Sequence, residues 1–304
     1  MTHADPTPSA LGYRWPAEWE SHAATWLSWP HNAETWPGSF AGIPEQFAAF
    51  VRTIAEFEPV QILAGGANVL ADAKDHVGDL NNVTLHDIPT NDAWCRDHGP
   101  TFLVQAQEVS TEDAGTLALI DWRYNAWGGK YPPFDQDNAV AARIAAQLDC
   151  RRFAVDVVLE GGAIEGNGGG TVLTTSTCLL NPNRNPHWNR QDFEHLLRDY
   201  LATKQVIWLE RADLAGDDTD GHIDQLARFI GPQTVVAATA PDTSDINNLP
   251  LRENLAQLRS MTDQDGAPLD IVPLPLPQPK FHNEHLLPAS YFNFYIVNEG
   301  LSVP

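Results

Sequence analysis

Side chains suited to acid–base chemistry recur along this chain at nearly equal intervals. Asp97, Glu160 and His222 each lie at or near the end of a short apolar run, and they are separated by 63 residues (97 to 160) and 62 residues (160 to 222). A segment with helical periodicity precedes each run at a comparable distance. A constant period of this kind is typical of folds built from repeated structural units. The sequence therefore predicts such units.

Local patterns predict helices and strands in alternation. Apolar residues with the i, i+3, i+4, i+7 spacing of a helix occur at 47–54 and 193–200, and Asn189 is a suitable N-cap for the second. Further helices are predicted at 136–148 and 251–261. Apolar, β-branched runs predict strands at 60–63, 101–104, 116–120, 153–159, 171–175, 205–209, 234–238 and 292–297. The predicted fold class is α/β, and the Pro-rich stretch 273–279 is interpreted as an extended connector.

Composition limits the class of partner. The net charge is −22 and the pI is about 4.6, so nucleic acid and anionic membrane surfaces are excluded as partners and a cationic small molecule is favoured. An acidic surface also serves solubility alone. No signal-like start and no run of eighteen apolar residues occur, so we expect a cytoplasmic protein. The sequence leaves open whether the protein forms a homo-oligomer.

The three cysteines, Cys95, Cys150 and Cys178, show no CxxC spacing. Their number and spacing argue against a disulfide framework and against a thiolate zinc site. Each is interpreted as a small buried hydrophobe.

Three segments combine charge, glycine and aromatic residues without a regular polarity pattern. They are NDAWCRDHGP at 91–100, LEGGAIEGNGGGTVLTT at 159–175 and GDDTDGHIDQ at 216–225. Each has a purely structural alternative, respectively a capped turn with an Arg96 salt bridge, a glycine-rich hairpin and a calcium-type loop. The calcium motif requires a glycine and a final glutamate at positions where this segment lacks them.

Carboxylates and a histidine without a phosphate loop or a metal pattern fit one kind of ligand well. A planar guanidinium is bound best by carboxylates that accept paired N–H donors, and a nearby histidine can move protons at neutral pH. Removing ammonia from this delocalised cation also requires a nucleophile, usually a thiolate. The segments therefore indicate a guanidine site.

Three blocks that overlap these segments resemble the signature blocks of the agmatine deiminase and bacterial peptidylarginine deiminase family. They are DAWCRDHGPTF at 92–102, EGGAIEGNGGGTVLTTSTCLLNPNRNP at 160–186 and GDDTDGHIDQLARF at 216–229. The opening PAEWESHAATWLSWPHNAETWPG resembles the N-terminal block of that family, and the match extends from about residue 14 to the end of the chain. The resemblance implies a pentein fold, a five-bladed α/β propeller of ββαβ units with pseudo-fivefold symmetry. It also implies that residues 1–304 form a single domain whose last unit is incomplete at the C-terminus.

The resemblance implies a role for each catalytic candidate. Asp97 and Asp224 would bind the guanidinium, and His222 would be the general acid for departing ammonia and then the general base for water. Glu160 would hold His222 and help to bind the substrate.

The resemblance also implies the substrate and the product. Trp94 and Asp218 would line the amine end of agmatine, where an aromatic face and a carboxylate suit a primary ammonium. The implied reaction converts agmatine and water to N-carbamoylputrescine and ammonia through a thiouronium-type intermediate on cysteine, a step of putrescine and polyamine metabolism. No cofactor and no metal are implied.

One departure from the family pattern concerns the nucleophile. The family's cysteine lies in a glycine-rich His-Cys segment about fifty residues beyond residue 304, and the 62 to 63 residue period also reaches past the chain end, near 348. We therefore expect the nucleophile to be missing from these 304 residues, with Cys95 no substitute for it. Two alternatives stay open: a peptidyl-arginine or arginine deiminase, with Arg96 as the basic group nearest the site, and a non-catalytic guanidine- or polyamine-binding protein.

Overall fold

The structure is a computed structural model that describes residues 6–105 and 117–303. Thr116, the first residue of one predicted strand, lies outside these ranges. The helices are α1 Ile43–Ala55, α2 Ala67–Val77, α3 Cys95–His98, α4 Ala126–Gly129, α5 Val140–Leu148, α6 Ser176–Leu179, α7 Arg190–Leu201 and α8 Asn248–Leu258. Short 3-10 helices occur at Ser9–Leu11, Phe40–Gly42, Asp137–Ala139, Gly161–Ala163 and Ile223–Gln225.

The strands alternate with these helices along the chain. They are β1 Tyr13–Arg14, β2 Thr25–Ser28, β3 Val60–Leu63, β4 Val83–His86, β5 Thr101–Gln105, β6 Leu117–Arg123, β7 Arg151–Val158, β8 Ile164–Gly166, β9 Thr171–Thr175, β10 Gln205–Leu209, β11 Ala227–Phe229, β12 Thr234–Thr239, β13 Asp270–Pro275, β14 Lys280–His282, β15 His285–Leu287, β16 Tyr295–Val297 and β17 Gly300–Ser302. The predicted α/β class is confirmed.

Three consecutive segments share one topology. In each, two antiparallel strands are followed by a helix and by a third strand that runs parallel to the second: β5-β6-α5-β7, β8-β9-α7-β10 and β11-β12-α8-β13. Their first strands begin at Thr101, Ile164 and Ala227, two intervals of 63 residues. The repeated units expected from the sequence period are therefore present as ββαβ modules.

Strand β1 is antiparallel to β5 and belongs to the sheet of the first unit, and the remaining strands form separate sheets. Strands β2, β3 and β4 are all parallel, with α1 and α2 as their connections, and β14-β15 and β16-β17 are hairpins. Each sheet within the described ranges is open. No helix in those ranges is both long and apolar enough to cross a membrane.

Helix α7 illustrates how local signals determine an element. The Asn189 side chain accepts the Asp192 backbone N–H while the Asp192 carboxylate accepts the Asn189 N–H, a capping box that fixes the helix start. The buried face of the helix, which includes Phe193 and Leu197, shares one core cluster with Val172 of β9. The predicted N-cap is confirmed.

Two predicted segments were assigned wrongly. In the predicted strand 292–297 only Tyr295–Val297 pairs, because the carbonyl oxygens of Phe292 and Phe294 instead accept Arg228 Nη1 at 2.9 and 3.1 Å. The first part of the predicted connector 273–279 belongs to β13, which is parallel to β12. Strand β13 lies at an edge of its sheet, where proline is tolerated.

Candidate active site

The candidate catalytic residues occupy the same place in each repeated unit. Asp97 lies in α3, four residues before β5, and Glu160 comes four residues before β8. His222 and Asp224 lie at the 3-10 helix Ile223–Gln225, five and three residues before β11. Each short helical turn aims its side chains toward the same region, because the three units repeat one topology. The structure thus brings residues from three distant segments together.

Asp97, His222 and Asp224 form a buried cluster. The His222 Nδ1 atom lies 3.7 Å from Asp97 Oδ1 and 4.0 Å from Asp224 Oδ1, and none of the three residues is more than 9% exposed. Asp97 Oδ1 accepts the Gly162 N–H at 2.9 Å, and Asp97 Oδ2 accepts Trp127 Nε1 at 2.9 Å. These two donors fix the carboxylate beside the histidine.

Gly162 makes this arrangement sterically feasible. A Cβ atom at this position would lie 2.5 Å from His222 Nδ1 and 2.7 Å from both Asp97 Oδ1 and Asp224 Oδ2. The missing side chain therefore leaves the space in which the three polar groups meet. The EGG motif is visible in the sequence, but only the tertiary structure shows which groups face Gly162.

Gly162→Ala is expected to weaken binding of a guanidinium ligand such as agmatine by at least about tenfold. The added methyl group must displace the His222 ring or one of the two carboxylates, and such overpacking typically costs about 1–3 kcal/mol. Calorimetric titration measures the change. Gly231→Ala is the matched control, since its Cβ would approach nothing closer than 3.6 Å; equal affinities for the two variants would contradict the steric role of Gly162.

Glu160 is held by a buried arginine that sequence analysis did not identify. Arg184 Nε donates to Glu160 Oε1 at 3.0 Å, and the same guanidinium pairs with Asp220 and donates from Nη2 to the Thr219 carbonyl at 2.9 Å. Because these contacts link the Glu160 turn to the His222 loop, they fix the relative positions of the two segments. Arg184 lies in the NPNRNP stretch at 181–186, and no role was assigned to it from the sequence.

The aspartates of the 216–225 segment have separate roles. Asp217 accepts the backbone N–H groups of Thr219 and Gly221 at 3.0 and 2.7 Å, and also Gln225 Nε2 at 3.0 Å. This carboxylate therefore stabilises its own loop, which accounts for the likeness of the segment to a calcium-type loop. Asp224 is the member of the segment that reaches the histidine.

The two residues predicted to bind the amine end lie on the wall of the same cavity. This cavity has a volume of about 2370 Å³, and Trp94, Asp97, Asp218, His222 and Asp224 all line it, whereas Glu160 lies behind its surface. The Trp94 side chain is 43% exposed, and Asp218 is exposed. An open aromatic and acidic wall thus continues from the buried cluster.

Aromatic contacts connect that wall to the cluster. The Trp94 ring stacks on Trp36 at 6.0 Å and lies edge-on to Trp127, the donor to Asp97, at 6.3 Å. The Tyr131 hydroxyl donates to the Asp218 carboxylate at 2.5 Å. Trp127 and Tyr131 were not singled out from the sequence.

The electrostatics of the cluster favour a protonated histidine. Burial alone would lower the pKa of His222, but the Asp97 charge, the adjacent Cys178 sulfur and Asp224 together raise this pKa well above its usual value. Burial raises the pKa of Asp224 to about 6, with the His222 charge opposing the rise. At neutral pH the histidine is therefore charged and ready to donate a proton.

The thiols near the site are not activated. Burial raises the pKa of Cys95 to about 11 and also raises the pKa of Cys178. Since the thiolate is the nucleophilic form, both groups are poor nucleophiles at neutral pH.

Arg96 is already paired within the protein. Its Nη2 atom donates to Glu18 Oε2 at 2.6 Å, although the residue also lines the cavity. A substrate carboxylate would have to compete with Glu18 for this guanidinium.

Comparisons with known proteins agree on one group of enzymes. The sequence model described as Porphyromonas-type peptidyl-arginine deiminase matches residues 14–304. The agmatine deiminase of Pseudomonas aeruginosa is 37% identical over 327 aligned positions, which cover 100% of this chain and 86% of the relative.

Solved structures show the same similarity. A cysteine-to-serine variant of the Campylobacter jejuni agmatine deiminase with substrate bound has a TM-score of 0.85 and 35% identity, over 96% of this chain and 82% of the other. The agmatine deiminase of Enterococcus faecalis, described as catalyzing its reaction, has a TM-score of 0.89 and 30% identity, over 99% and 86%.

Proposed function

Because the chain belongs to the Porphyromonas-type peptidyl-arginine deiminase family, we propose that it acts on the guanidinium group of agmatine, in the hydrolysis that yields N-carbamoylputrescine and ammonia. Family membership makes it a hydrolase of C–N bonds in linear amidines. The observation that carries the choice of ligand is the pair of buried carboxylates, Asp97 and Asp224, whose Oδ1 atoms lie 3.7 and 4.0 Å from His222 Nδ1. Those carboxylates accept N–H groups from two sides of a planar cation.

The cluster supports a defined sequence of proton movements. In the free protein the His222 imidazolium lies beside the two carboxylates, and an entering guanidinium takes over part of that pairing. When a thiolate forms a bond to the central carbon, the C–N bond breaks and His222 gives its proton to the departing amine, which leaves as ammonia. The neutral ring then takes one proton from water, whose oxygen bonds to the carbon. As the C–S bond breaks, the thiolate is regenerated and the second water proton is released to solvent, where ammonia accepts it.

The wall beside the cluster would bind the part of agmatine beyond its guanidinium group. The butyl arm would lie along Trp94, and its terminal ammonium would meet the Asp218 carboxylate and the aromatic face. Glu160 acts through His222, because Arg184 holds the Glu160 carboxylate beside the His222 ring. Putrescine metabolism in the cytoplasm is the setting that this reaction suggests.

The wider architecture follows as part of the proposal. Three ββαβ units at 63-residue intervals, each supplying a side chain to one site, support a pentein ring in which these units are three of five blades. Residues 1–304 would then be one domain arranged around the active site.

None of the three cysteines is proposed as the nucleophile. Cys95 and Cys178 are held protonated by burial, and burial likewise raises the pKa of Cys150. The thiolate of the reaction would then come from the His-Cys segment that the family resemblance places beyond residue 304.

Agmatine titration and turnover assays test the two parts of this proposal separately. We expect 1:1 calorimetric binding of agmatine to the 304-residue chain, clearly tighter than that of putrescine, which has the amine end without the guanidinium. We expect no ammonia release and no haloacetamidine adduct on any cysteine. Failure to bind agmatine would contradict the proposed function, whereas turnover of roughly 1–10 per second with Cys178 labelled would contradict only the placement of the nucleophile.

A further inference from the structure

At the cavity wall, three side chains with metal-binding donors converge: His222 lines the cavity, and Glu160 and Cys178 lie behind it. A carboxylate oxygen of Glu160, the Cys178 sulfur and a ring nitrogen of His222 all lie within 4.8 Å of one another. Cys178 and Glu160 are fully buried, and His222 is 2% exposed. These donors are 18 and 44 residues apart in sequence (160 to 178 and 178 to 222), a spacing that no short cysteine motif reveals.

Two atoms of this group are unsatisfied. Among the residues that the structure describes, Glu160 Oε2 and His222 Nε2 are buried without a hydrogen-bond partner. A buried polar atom left unpaired typically costs about 1–3 kcal/mol, so a pair of them beside a thiol calls for a ligand. The other atoms of the same side chains are engaged: Arg184 donates to Glu160 Oε1, and His222 Nδ1 faces Asp97 and Asp224.

The positions of the donors are fixed by the surrounding structure. Cys178 lies in α6, whose first turn is capped by the Thr175 side chain accepting the Cys178 N–H at 3.3 Å. Arg184 orients Glu160, and the hydrogen bond from the His222 N–H to Thr219 Oγ1 at 3.1 Å holds the histidine backbone. Ligands that are held in this way do not have to be ordered when a cation binds.

We propose that Glu160, Cys178 and His222 form a binding site for a soft divalent transition-metal cation, with zinc as the representative ion. Thiolate, imidazole and carboxylate are ligands that zinc accepts, and three protein ligands plus water complete a tetrahedral site. Ligand atoms on tetrahedral zinc lie roughly 3.3–3.6 Å apart, given bond lengths of about 2.0–2.3 Å. Because the donor atoms lie within 4.8 Å of one another, the group needs to contract by about 1.5 Å at most to reach that geometry.

Charge favours a dication at this place. When the metal binds, the Cys178 thiol and the His222 imidazolium each lose one proton to solvent, so that the ligands are a thiolate, a neutral imidazole and the Glu160 carboxylate. The thiolate and Glu160 then neutralise the ion. The carboxylates of Asp97 and Asp224 lie on the other side of His222, while the Arg184 cation is offset by Asp220.

Metal binding here would oppose the proposed chemistry. His222 bound to a metal cannot remain the doubly protonated acid, so occupancy of the site makes zinc an inhibitor of proton transfer. The metal site itself concerns only this chain's own side chains, and its test does not depend on agmatine being the substrate.

Titration of the full chain with CoCl2 and ZnCl2 in a non-coordinating buffer tests the site. We expect one equivalent of Co²⁺ to produce a thiolate-to-cobalt charge-transfer absorption, which one equivalent of Zn²⁺ removes and excess MgCl2 does not. Cys178→Ser should abolish the absorption and weaken zinc affinity at least about tenfold. Cys150→Ser, at a half-buried thiol outside the group, is the matched control and should retain both.

Two results would overturn the proposal: the wild-type chain showing no charge-transfer absorption, or Cys178→Ser retaining it. Circular dichroism and thermal unfolding establish whether Cys178→Ser is folded. If Cys178→Ser is unfolded, Glu160→Gln tests the metal site instead, because this substitution keeps the side-chain shape and leaves the Cys178 thiol in place. This variant should retain the absorption and lose at least about tenfold in zinc affinity; unchanged affinity would remove the carboxylate from the site and with it the proposal.

Discussion

Asn in place of Asp97 is expected to weaken agmatine binding by at least about a hundredfold. The substitution keeps the side-chain shape but removes one of the two charges beside His222, and its amide group would face a donor, either the Gly162 N–H or Trp127 Nε1. Leaving a buried cation without one partner costs about 3–5 kcal/mol, and each 1.4 kcal/mol is about tenfold in affinity. Calorimetric titration at neutral pH, where Asp224 is mostly ionised, measures the loss.

Asp156→Asn provides the matched control for this variant. The Asp156 side chain is 88% exposed and pairs with Arg123 at 2.8 Å on the surface, so the same chemical change removes a charge far from the cluster. Its effect on agmatine affinity should be small, since exposed pairs contribute little. If Asp97→Asn bound agmatine as well as Asp156→Asn does, the guanidinium would have to be placed elsewhere in the cavity.

The second large effect concerns ligand choice: agmatine should bind at least about a hundredfold more tightly than arginine. Arginine carries a carboxylate near the end where agmatine has only its ammonium, and that group would approach the exposed Asp218 carboxylate. The two basic groups that could compensate are already engaged: Arg96 pairs with Glu18 at 2.6 Å, and Lys130, which lies beside Asp218, pairs with Asp220 at 2.8 Å. Near a protein surface, two like charges about 4 Å apart repel by about 4 kcal/mol, which corresponds to a factor of about a hundred or more in affinity.

Titrations with the two ligands under identical conditions measure this preference, and Asp218→Asn tests its cause. Removing the Asp218 charge should narrow the preference by weakening agmatine and strengthening arginine. Equal affinities in the wild-type chain would instead favour the arginine-type alternative. Arginine with its carboxylate blocked as an amide separates repulsion of the carboxylate from a lack of space, because only repulsion is relieved by the block.

Local signals in the sequence determined much of the secondary structure. Strands β3, β9 and β10 have the predicted bounds, and α7 begins at the predicted cap Asn189, because β-branched runs and capping boxes act within a few residues. Local prediction failed where contacts with distant residues determine the backbone conformation. The carbonyls of Phe292 and Phe294 accept Arg228 instead of pairing in a strand.

The sequence also pointed to most of the candidate site. Asp97, Glu160, His222 and Asp224 stand in motifs whose residue types suit a guanidinium, and the period predicted equivalent places in repeated units. The structure brings three of these side chains into one cluster. Glu160 lies beside them and behind the cavity wall. Their roles in catalysis remain proposals that the variants above test.

What the sequence alone determined is therefore the class of chemistry, through residue types and their regular spacing. Only the tertiary structure decided which groups touch. Gly162 matters because three polar atoms from distant segments occupy the space of its missing Cβ, and Arg184 matters because it joins the Glu160 turn to the His222 loop. Cys178 reads as a core residue in the sequence, yet its sulfur meets Glu160 and His222. Contacts between residues far apart in the chain depend on how whole units pack, and no local pattern encodes that packing.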